Sequence, residues 1–275
     1  MAKALLVALW VITLLCLCLF WFHPWWLPPL ASVQGGAVDR QFRLTFTLVG
    51  IAFVLAQSAL GFLVWKYRAN RSLPVNQPFR ENTRAEIFWT LLTALLFFVF
   101  AWTGARSWSQ SKLTHAAADA KLPVEIEVTG MQFAWYFRYP GPDRVFGRTR
   151  PDLQDASAGS AAAVGLDMSD PTSQDDFVST TLVVPVNRNV RLTLRAQDVI
   201  HSFFVPELRF KQDAVPGMAI PVVFTPNRQG DFEIACASLC GLGHYRMRAA
   251  MKVVSESDFE EWLAKQAPQT GVRHP

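Results

Sequence analysis

Hydrophobic positions fall into two regimes along the chain. Up to about residue 104 they form long unbroken stretches at 4–22, 44–65 and 87–104. Each is close to the ~20 apolar residues that carry a helix across a ~30 Å hydrocarbon core. From about Leu122 the pattern changes to short β-branched and aromatic runs separated by Pro, Gly, Asn and Asp, as half-buried strands require. The pattern therefore predicts transmembrane helices followed by an all-β domain.

Strands are expected at 124–130, 133–139, 178–185, 190–195, 200–205, 220–225, 231–235 and 246–253. That many short strands suggest a Greek-key β-sandwich or barrel. A final helix is expected near Ser257, where Ser-Asp-Phe-Glu260 reads as a capping box ahead of Trp262 and Leu263. The stretch 141–176 interrupts the β pattern with small residues and with Asp143, Asp152, Asp155, Asp167, Asp170, Asp175 and Asp176 against Arg144, Arg148 and Arg150. It is either a solvated insertion or an electrostatic aid to docking a basic protein.

The first apolar run follows Lys3 and could be a secretory leader, but it exceeds the usual ~7–15-residue core of such peptides, so a retained span is expected. Lys66, Arg68, Arg71, Arg80 and Arg84 gather between the second and third runs, which places that loop in the cytoplasm and everything after Gly104 outside. Trp25, Trp26, Trp65 and Trp102 sit near span ends, as interfacial aromatics do. The expected organisation is 1–43 as an N-terminal hydrophobic segment and extracytoplasmic linker, and 44–110 as a transmembrane hairpin. It continues with 118–265 as the extracytoplasmic β-domain and 266–275 as a tail.

Composition agrees with a membrane component, since 51% of the 275 residues are apolar and only 17% are charged. The net charge of +4 is small, and no basic stripe with interleaved aromatics follows a phosphate backbone, so nucleic acid is not an expected partner. Cys16 and Cys18 lie inside the first apolar run, where thiols act as small hydrophobes or accept lipid. Cys236 and Cys240 stand apart near the C-terminus.

Chemistry concentrates in Cys236-Ala-Ser-Leu-Cys240-Gly-Leu-Gly-His244-Tyr-Arg-Met247. Two thiolates, an imidazole and a thioether suit copper, which takes soft sulfur and nitrogen donors together. A structural zinc site makes poor use of a methionine. Gly241 and Gly243 allow the sharp turns that aim these side chains inward. A one-copper blue site needs only one cysteine, whereas two thiolates can bridge two coppers if a second histidine is supplied. His201, at the edge of another expected strand, is the candidate. A disulfide between Cys236 and Cys240 is the competing reading.

The cysteine loop, Asp198-Val-Ile-His201-Ser, Pro206-Glu-Leu-Arg-Phe-Lys-Gln-Asp-Ala-Val-Pro-Gly217 and Gly130-Met-Gln-Phe-Ala-Trp-Tyr-Phe together resemble subunit II of cytochrome c oxidase. The resemblance implies a cupredoxin-like domain with a binuclear copper A centre. That centre would take electrons from cytochrome c and pass them to a haem-bearing catalytic subunit I, which works with other oxidase subunits, reduces oxygen to water and pumps protons. Carried over by position, Cys236 and Cys240 match the bridging thiolates, His201 and His244 the terminal imidazoles, and Met247 the axial thioether. The carbonyl of Ser238 matches the other axial donor. Most members place an acidic residue at Ser238 that also helps bind magnesium at the subunit interface, which leaves magnesium without that carboxylate here.

The tryptophan that receives the electron in well-known members aligns with Phe133, with Trp135 two residues on and expected on the same strand face. Glu86 resembles a glutamate near the mouth of a proton path, although a carboxylate in a first helical turn is favourable in any case. Lys211 and Asp213 match an interface loop. No Cys-x-x-Cys-His haem-attachment motif occurs, so the donor cytochrome is expected to be a separate protein. Two alternatives remain, the copper A subunit of a related nitric oxide reductase and a membrane-anchored copper-delivery or assembly protein with a thioredoxin-like fold.

Overall fold

A computed structural model describes residues 2–22, 27–67, 82–113 and 122–266. It divides into two compact units, one holding the apolar helices and the other holding Pro28–Gly36 with the β-domain. Trp25, Trp26, Arg68, Arg71 and Arg80 lie outside the described residues, as does the tail from 267.

In the first unit, helices α1 (Ala2–Trp21), α2 (Gly35–Lys66) and α3 (Thr83–Leu113) are each long and apolar enough to cross a membrane. Three of their hydroxyls bond back to their own helix: Thr13, Ser58 and Thr103 donate to the carbonyls of Leu9, Val54 and Val99 at 2.7–2.8 Å. An apolar surround demands this, because water is not there to take the bond. Gln41 Nε2 on α2 donates to Thr103 Oγ1 on α3 at 3.3 Å. Helix α2 starts at Gly35, well before the apolar run at 44, because Ser32 Oγ accepts from Gly35 N at 3.0 Å and caps it there. The expected boundary followed hydrophobicity, and a capped helix extends past its apolar part.

The second unit contains two five-stranded sheets. One sheet is ordered β3-β2-β1-β5-β8 and the other β4-β10-β9-β6-β7. The strands are β1 (Val124–Met131), β2 (Ala134–Tyr139), β3 (Phe177–Ser179), β4 (Thr181–Pro185), β5 (Val190–Ala196), β6 (His201–Val205), β7 (Phe210–Ala214), β8 (Ile220–Phe224), β9 (Gly230–Cys236) and β10 (Arg248–Val254). Strand β1 shows the expected alternation, with Val124, Ile126 and Val128 buried on one face. They meet Leu182, Val184, Leu192, Phe203, Ile234 and Met251 in one core. Strands β1 and β5 pair in parallel, as do β4 and β10, and the remaining pairs are antiparallel.

Three expectations are corrected. The single strand expected at 178–185 divides at Thr180, with β3 pairing to β2 and β4 pairing to β10 in the other sheet. Strand β7 was not foreseen, since Phe-Lys-Gln-Asp-Ala carries too little apolar pattern; it forms because the edge of β6 offers it a partner. Phe133 is not a strand residue: Gln132 and Phe133 form the turn between β1 and β2.

The insertion folds through short 3-10 turns and the single-turn helix α4 (Ser160–Ala163). Buried Arg138 anchors it, lying 2.9 Å from Asp176 and 3.1 Å from Glu127, and also donating to the Gly147 carbonyl. Helix α5 (Glu256–Gln266) starts earlier than expected, with Ser255 Oγ accepting from Asp258 N at 3.1 Å in place of the foreseen Ser257 cap. Its Trp262 packs against Tyr139 and Phe177.

Segment Pro28–Gly36 is tied to the domain rather than free as a linker. Ala31 N donates to Glu207 O at 2.8 Å, Val33 N to Thr225 O at 3.0 Å, and Ser32 Oγ to Leu208 O at 2.7 Å.

Candidate metal centre

Strand pairing brings the sulfur-bearing segment to the foot of β6. Phe203 of β6 registers with Cys236, the last residue of β9, and Ala237 N donates to Ser202 O at 2.9 Å. Cys236 N donates to Met247 O at 3.1 Å, which closes the 236–247 loop on itself ahead of β10. Inside the loop, His244 N bonds Gly241 O and Arg246 N bonds Gly243 O, winding a 3-10 turn that swings His244 back toward the cysteines. Gly241 has φ +131°, a conformation that L side chains rarely adopt, so the loop needs a glycine there.

The ligand atoms of His201, Cys236 and Cys240 all lie within 4.8 Å of one another, and all three residues are buried. Cys236 Sγ is 3.9 Å from Cys240 Sγ and both thiols are free, so the disulfide reading does not describe this structure. Cys240 Sγ lies 3.6 Å from His244 Nδ1 and 3.7 Å from Met247 Sδ. The carbonyl of Ser238 lies 3.1 Å from Cys236 Sγ. His201, Cys236 and Cys240 thus form one cluster, with His244 and Met247 beside Cys240 and the Ser238 carbonyl beside Cys236.

Two groups not foreseen as participants orient this pocket. Asp198 Oδ1 accepts from His201 Nε2 at 2.8 Å and from Val199 N at 2.7 Å, while its Oδ2 accepts from Gln132 N at 2.7 Å. Burial works against the charge of Asp198, yet these donors together hold its carboxyl below the ordinary range. Gln132 Nε2 in turn donates to Cys240 O at 2.5 Å. The spacing Asp198-x-x-His201 was visible in the sequence, but only the fold shows that the carboxylate faces the ring.

The remaining nitrogen, His201 Nδ1, is buried without a hydrogen-bond partner. A buried acceptor in that state is costly unless something binds it. With two sulfurs and a thioether nearby, the donor set fits copper. Burial, reinforced by the adjacent Cys236 thiol, pushes Cys240 up to about 11, so metal must displace a firmly held proton.

The two aromatic candidates separate. Trp135 is buried, its ring edge-on to His201 with centroids 5.9 Å apart. Phe133 is exposed and lies across the loop, its ring 3.3 Å from where a Cβ on Gly241 would stand. They do not share a strand face as expected, because Phe133 belongs to the turn. Asp213 accepts from Ser202 Oγ at 2.6 Å beside the site, and Lys211 is exposed on β7. Glu86 occupies the first turn of α3, in the other unit.

Three membrane-length helices and a two-sheet domain with a sulfur–imidazole cluster define a membrane-anchored protein of cupredoxin-like architecture with a candidate metal site. Residues 124–254 match the family model for the periplasmic domain of cytochrome c oxidase subunit II. The chain is 34% identical to the alternative cytochrome c oxidase subunit 2 of Bradyrhizobium diazoefficiens, over 91% of its length and 87% of the relative's. It is 32% identical to cytochrome c oxidase subunit 2 of Cereibacter sphaeroides, covering 86% and 78%. The solved periplasmic domain of subunit II of cytochrome oxidase from Bradyrhizobium japonicum is 30% identical, with a TM-score of 0.39, and spans 53% of this chain and 94% of that one. The chain belongs to the cytochrome c oxidase subunit II family.

Proposed function

We propose that this chain receives electrons one at a time from cytochrome c and relays them to the haem-bearing subunit I of a respiratory oxidase, where oxygen is reduced to water. The observation that carries the reading is the convergence of His201 from β6 with Cys236 at the end of β9 and Cys240 in the loop that follows, with His201 Nδ1 left unpartnered. In this reading Cys236, Cys240, His201, His244, Met247 and the Ser238 carbonyl would together hold two coppers. When bound, such a pair would supply a one-electron carrier.

The protein's own groups do the rest. Asp198 holds Nε2 and the plane of the His201 ring, which leaves Nδ1 as the nitrogen open to a metal. Burial of His201, Cys236, Cys240 and Met247 excludes water and limits reorganisation when charge moves. Gln132 ties the β1–β2 turn to Cys240 and keeps Phe133 on the loop. Phe133 is our candidate for the ring at which electrons arrive, and Trp135 packs beneath His201 as support.

Lys66 and Arg84 flank the segment between α2 and α3, which we assign to the cytoplasmic side of the inner membrane with the β-domain outside. Glu86, with Asn82 Oδ1 accepting from Ala85 N one turn away, is assigned to the mouth of a proton path in the partner subunit. Ser238 brings a hydroxyl where magnesium would want a carboxylate, so no magnesium is assigned to this chain.

Copper quantitation with electron paramagnetic resonance on the β-domain tests the centre. Two coppers per chain and a mixed-valence signal shared over both nuclei are expected; a one-copper spectrum, or zinc in its place, refutes it. Oxygen rather than nitric oxide consumption by the purified complex separates the oxidase from its nitric oxide-reducing relatives.

A further inference from the structure

Helices α1 and α2 shield one stripe of each other. On α1 the shielded residues are Leu6, Leu9, Thr13 and Cys16, with Thr13 only 1% exposed, while Val7, Val11 and Leu14 between them are open. On α2 the shielded residues are Val54, Gln57, Ser58, Gly61 and Val64. Steps of three and four residues are the repeat of two helices packed side by side. Gly61 is buried at the centre of the contact. A Cβ built on it would meet Leu9, Trp10 and Leu6 at 3.6–3.8 Å, so a small residue there lets the two backbones come close. Further along, Phe20 meets Phe46 edge-on with ring centroids 5.5 Å apart. With Leu9 beside Gly61 and Phe20 beside Phe46, the helices run antiparallel, and Lys3 belongs to the same end as Lys66.

Helix α3 does not cover the α2 stripe. Its bonds to α2, Gln41 to Thr103 and Ser107 Oγ to the Ala37 carbonyl, lie near the start of α2, and residues 86–95 of α3 are all exposed. Stripped of α1, α2 would turn the Gln57 amide and the Gly61 backbone toward hydrocarbon, where no water bonds a polar group. The residues after α1 point the same way. From Trp21 to Leu30 the chain reads Trp-Phe-His-Pro-Trp-Trp-Leu-Pro-Pro-Leu, without one of the small residues after which a leader peptidase cuts. The first small pair, Ala31 and Ser32, is fully buried and bonded to Glu207 and Leu208.

We propose that α1 is a permanent span clasped antiparallel to α2 through the stripe from Leu6 to Cys16, and that no leader peptidase removes it. The partner surface for α1 is thus built into the chain itself: the Gln57–Gly61 turn of α2 is shaped to receive it. Thr13 and Ser58 add no polar cost to the seam, because each hydroxyl bonds back to its own helix. Helix α2 becomes the centre of the anchor, holding α3 by hydrogen bonds near its start and α1 by close packing beyond Phe46. This role is independent of the electron-receiving function proposed above.

The test uses the assembled complex purified from membranes in mild detergent. The intact mass of this subunit should correspond to a chain starting at Met1 or Ala2; a chain starting beyond Trp21 overturns the proposal. A protease site inserted between Trp25 and Trp26 then allows α1 to be severed after purification. Severed α1 should stay with the complex through repeated washing, and should do so equally in Gly61→Ala, whose methyl group makes ordinary contact with α1. Gly61→Leu drives its side chain into Leu6, Leu9 and Trp10 and should lower the α1 retained about tenfold. Release of α1 from the unmodified complex or from Gly61→Ala, or full retention in Gly61→Leu, overturns the clasp. Should Gly61→Leu fail to assemble, the intact mass and the Gly61→Ala complex still decide between a retained, packed helix and a discarded one.

Discussion

His201 places its Nε2 2.8 Å from Asp198 Oδ1 and leaves Nδ1 buried and unpartnered, so one carboxylate decides which nitrogen of the ring is available to a metal. Asp198→Asn keeps the shape and removes the charge that holds this arrangement. Copper affinity should fall by about 10–100-fold, as for other groups that orient metal-binding histidines. Chelator competition measures it, and an unaltered affinity would show that the ring is held by packing against Trp135 alone.

The two sulfurs nearest Cys240 Sγ, at 3.7–3.9 Å, belong to different chemical types. For the proposed copper pair, Cys240→Ser should abolish the two-copper spectrum, whereas Met247→Leu, which removes only a thioether, should keep both metals with a shifted potential. Electron paramagnetic resonance of the two variants distinguishes them; an intact signal in Cys240→Ser contradicts the bridging assignment.

Arg138 is buried between Glu127 and Asp176 and carries the insertion on β2. Arg138→Met leaves the buried Asp176 carboxylate without its ion-pair partner, while Glu127 keeps Arg195 at 3.4 Å, and should cost about 3–5 kcal/mol. Denaturant unfolding of the β-domain reads this directly. A loss under about 1 kcal/mol would mean that water replaces the guanidinium.

Asp167 is held below the ordinary carboxylate range chiefly by the Ser169 hydroxyl, and Asp170 chiefly by the Arg148 N–H. With both folded-state values depressed, their stabilisation is fully present above the unfolded value near pH 4 and is lost as pH falls through the lower folded values. Amide resonances of Ser169 and Thr172, which donate to these carboxylates, should therefore hold steady down to about pH 4 and shift below it. A shift centred above pH 4 would reverse the sign of the argument.

Much of this was legible in the residues themselves. The three helices follow from apolar runs that nothing but lipid or a large core could cover. Strand β1 follows from strict alternation, and the metal chemistry follows from two cysteines, a histidine and a methionine within one loop. These features are local, and local pattern determines them.

What the sequence did not determine is everything that depends on which strand lies beside which. The split of 178–185 into β3 and β4, the recruitment of β7 by the edge of β6, and the docking of Pro28–Gly36 onto Thr225 and Glu207 are contacts between distant segments. No periodicity encodes them. The same holds at the site: Asp198 acts because the chain turns back within three residues, Gln132 because the β1–β2 turn meets a loop 108 residues further on, and Phe133 is exposed while Trp135 is buried because the turn ends between them. Sequence settled which donor atoms the protein owns. Tertiary pairing decided which of them face one another, since a hydrogen bond or a metal pocket depends on distances that only the closed sheets create.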